Sequence, residues 1–204
     1  MSSQYWPKIS SCLEEIETER ELIDHQEVQQ EQVEMLKTKA TKILESLKNF
    51  LHKNLNPSQS LLIEFALTSY INEQMQSFAH RQIKNNISWP PLQHTLGTHK
   101  AGEVFFKKCD SILEDRQTPL IVYEVYYFII KRGFKGQYKD TQLQIDKYLD
   151  LLQERIGNAK IELKKSEELS PQKPQKFKPK HYYAAAAALS FLFLLILFAQ
   201  STLN

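Results

Sequence analysis

The chain has 204 residues with 26 basic and 24 acidic side chains, so its net charge of +2 lacks the basic excess that is typical of nucleic-acid-binding proteins. Its 5 glycines argue against a glycine-rich phosphate loop or a turn-dense β-sandwich. The two cysteines, Cys12 and Cys109, stand apart, which excludes a zinc-binding spacing and predicts reduced, partly buried thiols.

The N-terminal quarter of the chain is predicted to be helical. No Gly or Pro occurs from Ile9 to Lys53, and apolar residues recur there at helical spacing. The polar, Gln-rich patch at residues 25–32 predicts a break or an exposed turn within this stretch. We therefore expect a long helical region whose second half is amphipathic.

Proline residues mark the next boundaries along the chain. Pro57 is expected to end the first helical stretch, and Ser58 or Ser60 to cap a second helix at residues 59–83. Consecutive prolines exclude a regular helix at residues 85–91, after which a short helix is expected to begin at Pro91. Further helices are predicted at residues 101–114, 120–131 and 141–168, with Gly133 as a C-terminal cap.

The C-terminal segment is predicted to cross a membrane. No ionisable side chain occurs from Tyr182 to Asn204, and a bilayer core of about 30 Å needs about 17–25 helical residues. A buried core helix is the alternative, but the apolar run has no polar face. We therefore predict a single transmembrane helix at residues 182–200.

Lysine residues before this segment predict its orientation. Lys173, Lys176, Lys178 and Lys180 precede the apolar run, and Lys and Arg favour the cytoplasmic side of a membrane. The predicted organisation is a cytoplasmic helical domain at residues 1–168, a Pro/Lys-rich linker at 169–181, the transmembrane helix at 182–200 and a periplasmic tail at 201–204. The prolines of the linker favour an extended spacer.

Motifs that would indicate catalysis were not found in the sequence. No nucleophile elbow, Walker loop, dinucleotide fingerprint or helical His/Glu metal pair occurs. The stretch from Gly133 to Gly136 lacks the Lys-Ser/Thr ending of a phosphate loop, so we interpret it as a helix stop followed by a turn. We expect no catalytic residue, no metal and no cofactor, and we predict that the chain is not an enzyme.

A series of spaced motifs resembles the DotU/TssL family of inner-membrane components of type VI and type IVB secretion systems. Residues 70–73 (Tyr-Ile-Asn-Glu) resemble a helix of the family that ends in Asp-Glu, with Asn72 in place of the Asp. Trp89 precedes a Leu-rich turn, and residues 101–106 (Ala-Gly-Glu-Val-Phe-Phe) resemble the family's Gly-Gly-Glu-x-Phe-Phe segment. The most specific match runs from Glu124 through residues 133–138 (Gly-Phe-Lys-Gly-Gln-Tyr).

The resemblance implies an all-α fold of about six or seven helices in a hook-like pair of small bundles. It implies a structural role in a type VI system, with docking to an IcmF/TssM-like inner-membrane protein and to baseplate subunits. The residues that it marks as partner-binding are Asn72, Glu73, Trp89, Glu103, Phe105, Phe106, Asp110, Glu124, Tyr127, Gly133, Phe134, Gly136 and Tyr138.

Other assignments stay open at the level of the sequence. A DotU-type component of a type IVB system that stabilises IcmF fits the same motifs. A tail-anchored SNARE-like tether would share the terminal anchor, but prolines between residues 171 and 179 interrupt the coil that it needs, and a tethered helical enzyme is a further alternative. The small face at residues 184–188 predicts that the transmembrane helix can pack against another helix, including that of a second copy.

Overall fold

The structure, a computed structural model, describes residues 4–24, 28–81, 88–89, 92, 100–169, 183 and 190. These residues form six α-helices and one 3-10 helix and contain no strand, so the predicted all-α class is confirmed for them. The elements are α1 (Trp6–Asp24), α2 (Gln30–Asn54), α3 (Pro57–Arg81), α4 (Ala101–Glu114), α5 (Leu120–Lys131), the 3-10 helix η1 (Gly136–Tyr138) and α6 (Gln142–Leu169).

The predicted break in the N-terminal helical stretch is confirmed. α1 ends at Asp24 and α2 begins at Gln30, and the two helices pack against each other. Their buried residues are spaced as the amphipathic pattern requires, with Ile9, Leu13 and Ile16 on α1 and Val33, Leu36 and Leu44 on α2. The first helical stretch is therefore a pair of packed helices.

The prediction that Ser58 or Ser60 caps the second helix was wrong. The side-chain Oδ1 of Asn56 accepts the backbone N–H of Gln59 at 2.9 Å, so Asn56 is the cap. Pro57 is the first residue of α3, where its missing N–H costs no helical hydrogen bond. Ser60 instead lies fully buried inside the helix.

The helix α3 lies at the centre of the bundle. It packs against α2, α4 and α5, and every residue from Ile63 to Asn72 is buried. The apolar run Leu120–Lys131 is helical as predicted despite its β-branched and aromatic content. It ends in a Schellman motif, because the N–H of Gly133 donates to Ile130 at 2.9 Å and that of Phe134 to Ile129 at 3.2 Å. Gly133 has a φ of 98°, as the predicted cap requires.

The chain divides into two units, residues 1–162 and 163–204. The first contains α1 to α5, η1 and most of α6. In the part of the chain that the structure describes, no helix is sufficiently long and apolar to cross a bilayer. The predicted span at residues 182–200 lies outside the described residues except for Tyr183 and Ser190, as do most of the linker and the tail. The span, the hook-like arrangement and the short helix at Pro91 stay predictions.

Candidate functional site

Glu73, in the C-terminal half of α3, holds the turn that follows α5. Its Oε1 accepts the backbone N–H of Lys135 at 2.8 Å, and its Oε2 accepts that of Gly136 at 2.7 Å. Successive N–H groups of a turn form an anion-binding concavity, and a carboxylate bonds to them more strongly than a neutral acceptor. Gly136 has a φ of 50°, which glycine adopts without strain. Glu73 therefore fixes this turn to α3.

The helix α4 reaches the same turn through Gly102. A Cβ atom on Gly102 would lie 2.9 Å from the Cα of Gly136 and 3.0 Å from its carbonyl carbon, both part of the backbone. Only a glycine permits this approach without displacing the turn. Gly102 was not among our candidate residues, although a glycine in the first turn of a helix was a signal that could have identified it.

An aromatic cluster packs between α4 and the turn. Ring centroids lie 4.4 Å apart for Phe105 and Phe134 and 4.7 Å apart for Phe106 and Tyr138. Tyr126 stacks on Phe105 from α5, and Tyr148 contacts Phe106 from α6. Phe105, Phe106 and Phe134 are buried in this cluster. These buried rings therefore belong to the packing that positions the turn.

Asp110 connects α4 to α6 at the edge of this cluster. The hydroxyl of Tyr148 donates to the Oδ1 of Asp110 at 2.8 Å. Burial, followed by this hydrogen bond to Asp110, raises the pKa of Tyr148 well above its ordinary value. The hydroxyl of Tyr148 therefore keeps its proton, and this hydrogen bond between α4 and α6, to a higher pH than an exposed tyrosine would.

Asn72 is joined to the segment that contains Trp89. Its Oδ1 accepts the indole N–H of Trp89 at 3.2 Å and the backbone N–H of Leu92 at 3.0 Å. The Nδ2 of Asn72 is buried and has no hydrogen-bond partner in the part of the chain that the structure describes. Both hydrogen bonds use the side-chain oxygen of Asn72, and an Asp at this position would also provide such an oxygen.

Glu124 belongs to a different contact. It lies on α5 and its carboxylate contacts residues of α1 and α6. Its Oε2 accepts the indole N–H of Trp6 at 3.1 Å, and its Oε1 lies 3.3 Å from the Nζ of Lys160. The Trp6 ring meets Phe128 edge-on with centroids 5.0 Å apart. Trp6 is the first residue of α1, and the Pro that follows it is typical of the start of a helix.

The structure thus separates the candidate residues into groups. The turn and its supports bring together Glu73, Phe105, Phe106, Gly133, Phe134, Gly136 and Tyr138. Asn72 and Trp89 form a second group, and Glu124 with the half-buried Tyr127 lies on α5. The carboxylate of Glu103 is 3.5 Å from Lys100 and 4.0 Å from Lys107, at the more exposed N-terminal end of α4.

A family model described as "Type VI secretion system protein DotU" matches residues 11–203, which is nearly the whole chain. The chain belongs to the DotU family. The resemblance that the spaced motifs indicated is therefore confirmed, and the type VI description applies to the family to which this chain belongs. No curated protein sequence matches the chain.

The fold of this DotU-family chain is similar to that of a solved relative. DotU from Francisella novicida shares 24% sequence identity with it, and the two structures superpose with a TM-score of 0.62. The match covers 73% of this chain and 97% of the Francisella chain. At this level of identity the likeness supports the helical fold.

The described residues of this DotU-family chain contain no group of three His, Cys, Asp or Glu side chains that could hold a metal ion. Burial raises the pKa of Cys12 to about 12 and also raises the pKa of Cys109. Because the thiolate is the reactive form of cysteine, both side chains stay unreactive thiols near neutral pH.

Proposed function

We propose that this DotU-family chain is a structural component of a type VI secretion system that is anchored in the bacterial inner membrane. Residues 182–200 would form the anchor, with the helical domain in the cytoplasm and residues 201–204 in the periplasm. The family supports the secretion role. The absence of ionisable side chains from residue 182 onward and the four preceding lysines support the anchor and its orientation.

We infer further that the helical domain is a docking scaffold for an IcmF/TssM-like protein and for baseplate subunits. The observation that carries this inference is the turn that Glu73 holds against α3. The turn presents the exposed side chains of Lys135 and Gln137 on a backbone that is already fixed. Binding to a pre-organised surface costs less conformational entropy than binding to a loose loop.

The proposed anchor would strengthen such docking without new contacts. A protein held at one membrane face meets partners on that face at a raised effective concentration, so that modest interfaces suffice. Such tethering favours a docking role over catalysis for a domain whose candidate residues are mostly engaged in packing and backbone hydrogen bonds.

Co-purification from detergent-solubilised membranes tests the docking role. We expect the full chain to recover an IcmF-like protein and baseplate subunits, identified by mass spectrometry. Glu73→Ala should reduce this recovery because it releases the turn, whereas Glu45→Ala, an exposed glutamate of α2, should not. Equal recovery with both variants would show that the turn is not the docking surface, and no recovery with the unmodified chain would exclude the role itself.

Membrane extraction and protease protection test the anchor. We expect the full chain to stay with vesicles during alkaline carbonate washing and the helical domain to be protected in intact spheroplasts. Replacing Leu194 and Leu195 with arginine should release the chain, since charges in the middle of a span are costly. Release of the unmodified chain, or digestion of the helical domain in spheroplasts, would contradict the proposed topology.

A further inference from the structure

A row of buried polar side chains runs along one side of α3. Ser60, Glu64 and Thr68, here called the polar row, follow one another at intervals of four residues, which places them one turn apart on the same side of the helix. Ser60 and Thr68 are fully buried, and Glu64 is 7% exposed. Buried polar groups in proteins are normally hydrogen-bonded, so each member of the polar row is expected to have a partner.

Each member of the polar row carries a buried oxygen that has no hydrogen-bond partner among the described residues. These oxygens are Oγ of Ser60, Oε2 of Glu64 and Oγ1 of Thr68. Ser69, the residue after Thr68, behaves differently, since its hydroxyl donates to the carbonyl of Phe65 at 2.8 Å within the same helix. Three unpaired buried oxygens in succession are costly, so the polar row calls for a further ligand.

The helix α2 packs against α3 and contacts the polar row at Glu64. Oε1 of Glu64 lies 3.2 Å from Nζ of Lys48. Oε2 lies 3.8 Å from Nε2 of His52, which is too long for a hydrogen bond. The buried side chains of α2 are all apolar and offer neither a donor nor an acceptor. The helix that packs here therefore leaves the polar row without the partners that it lacks.

The charges around Glu64 favour a neutral ligand. Lys48 already provides a positive charge for the carboxylate, and a cation bound at Oε2 would lie close to that ammonium group, where like charges repel strongly in a buried setting. The hydroxyls of Ser60 and Thr68 can each donate and accept, whereas an ionised carboxylate only accepts. Water is neutral and both donates and accepts, so it suits all three groups.

We propose that the interface between α2 and α3 contains two internal water molecules, one that bridges Ser60 and Glu64 and one that bridges Glu64 and Thr68. Side chains four residues apart on a helix have Cβ atoms about 5–6 Å apart. A water molecule that makes two hydrogen bonds of about 2.8 Å spans the same distance. Proteins contain on the order of one buried water per 27 residues, so two are ordinary for a chain of this length.

These waters belong to the contact that holds the α1–α2 pair against α3. Together with the pair between Lys48 and Glu64, they give this interface a polar part beside its apolar one. The proposal concerns the interior of the helical domain and does not depend on the docking role.

A crystal structure of the full chain in detergent, at a resolution that shows ordered water, tests the proposal directly. We expect one solvent peak within hydrogen-bonding distance of Ser60 Oγ and Glu64 Oε2, and a second within that distance of Glu64 Oε2 and Thr68 Oγ1. Thr68→Ser keeps a hydroxyl and should keep the second peak. Three results would overturn the proposal: neither peak, hydroxyls that bond to carbonyls of their own helix instead, or a peak whose short distances to oxygen identify a metal ion.

Urea denaturation of Thr68→Val provides the energetic test, because valine has nearly the shape of threonine and lacks its hydroxyl. We expect the equilibrium constant for unfolding to rise about tenfold, since the water that bridges Glu64 and Thr68 loses a partner. Thr38→Val is the matched control, because Thr38 is exposed on α2 and its hydroxyl donates to the carbonyl of Glu34. The control should stay within about twofold of the unmodified chain. A Thr68→Val protein that is as stable as the unmodified chain, or more stable, would overturn the proposal, because the hydroxyl would then have had no partner to lose.

Discussion

Gly136 and Gly102 meet backbone to backbone, so that a Cβ atom on Gly136 would lie 2.9 Å from the carbonyl oxygen of Gly102. The contact joins the start of α4 to the turn that Glu73 holds. Because neither partner is a flexible side chain, a methyl group at this point forces a backbone to move. The position of the turn therefore depends on glycine at both residues.

Gly102→Ala is expected to destabilise the fold by about 1–3 kcal/mol, the usual cost of inserting atoms into a well-packed contact. Gly157→Ala is the matched control, because Gly157 lies in α6 and a Cβ atom there would meet nothing within 4 Å. The control should stabilise by about 0.5–1 kcal/mol, since alanine is the better helix former. Urea denaturation of both variants measures the difference, and equal stability would contradict the close approach.

Glu73→Gln is expected to lower the free energy of unfolding by about 1–3 kcal/mol. The amide keeps one acceptor oxygen but points an NH₂ group at a backbone N–H, so one of the two hydrogen bonds to the turn is lost. Hydrogen exchange at the Gly136 amide should accelerate in parallel. Glu103→Gln is the control, because its partners Lys100 and Lys107 are exposed lysines and such pairs contribute little. Unchanged exchange at Gly136 would argue against the clamp.

The sequence predicted those parts of the fold that depend on local pattern. The helix α5 and its cap at Gly133 follow from an apolar run of helical length that ends at a glycine, and both are observed. The break near residues 25–32 follows from the loss of apolar spacing. The boundary at Pro57 was misassigned because proline is equally acceptable just after one helix and as the first residue of the next.

Local sequence patterns could not predict the tertiary contacts that build the candidate site. Glu73 and Gly136 were both candidate residues, but only tertiary packing brings the carboxylate beneath the turn. The burial of Phe105 and Phe106 likewise depends on their contact with Phe134, which belongs to a distant segment of the chain.

Asn72→Ala is expected to destabilise by about 1–3 kcal/mol, because it leaves the buried donors of Trp89 and Leu92 without their shared acceptor. In a Trp6→Phe background, the emission of Trp89 should shift to longer wavelength as its surroundings loosen. Ser69→Ala is the control, since the Ser69 hydroxyl donates only to the carbonyl of Phe65 in its own helix. The same emission from both variants would contradict the role of Asn72 in holding Trp89.

Alkaline pH is expected to weaken the fold through its buried thiols. The pKa of Cys12 is raised from the ordinary 9.0 to about 12 by burial, and burial also raises the pKa of Cys109. The folded state therefore keeps protons that the unfolded state loses above pH 9. Stability is full below that pH and falls as the pH rises toward 12, with a limiting slope of about 1.4 kcal/mol per pH unit for each thiol. Burial raises the pKa values of Tyr70, Tyr126 and Tyr148 as well, which adds a fall of the same sign at higher pH.

Urea denaturation between pH 8 and pH 10.5 measures this effect, and Cys12→Ala isolates one thiol. The cavity that the substitution leaves lowers stability equally at every pH, so the informative quantity is the slope against pH. Cys12→Ala should give a shallower slope than the unmodified chain above pH 9, because one group that titrates differently in the two states has been removed. Parallel curves for the two proteins would mean that the Cys12 thiol ionises as readily in the folded state as in the unfolded chain, and burial would then not govern its chemistry.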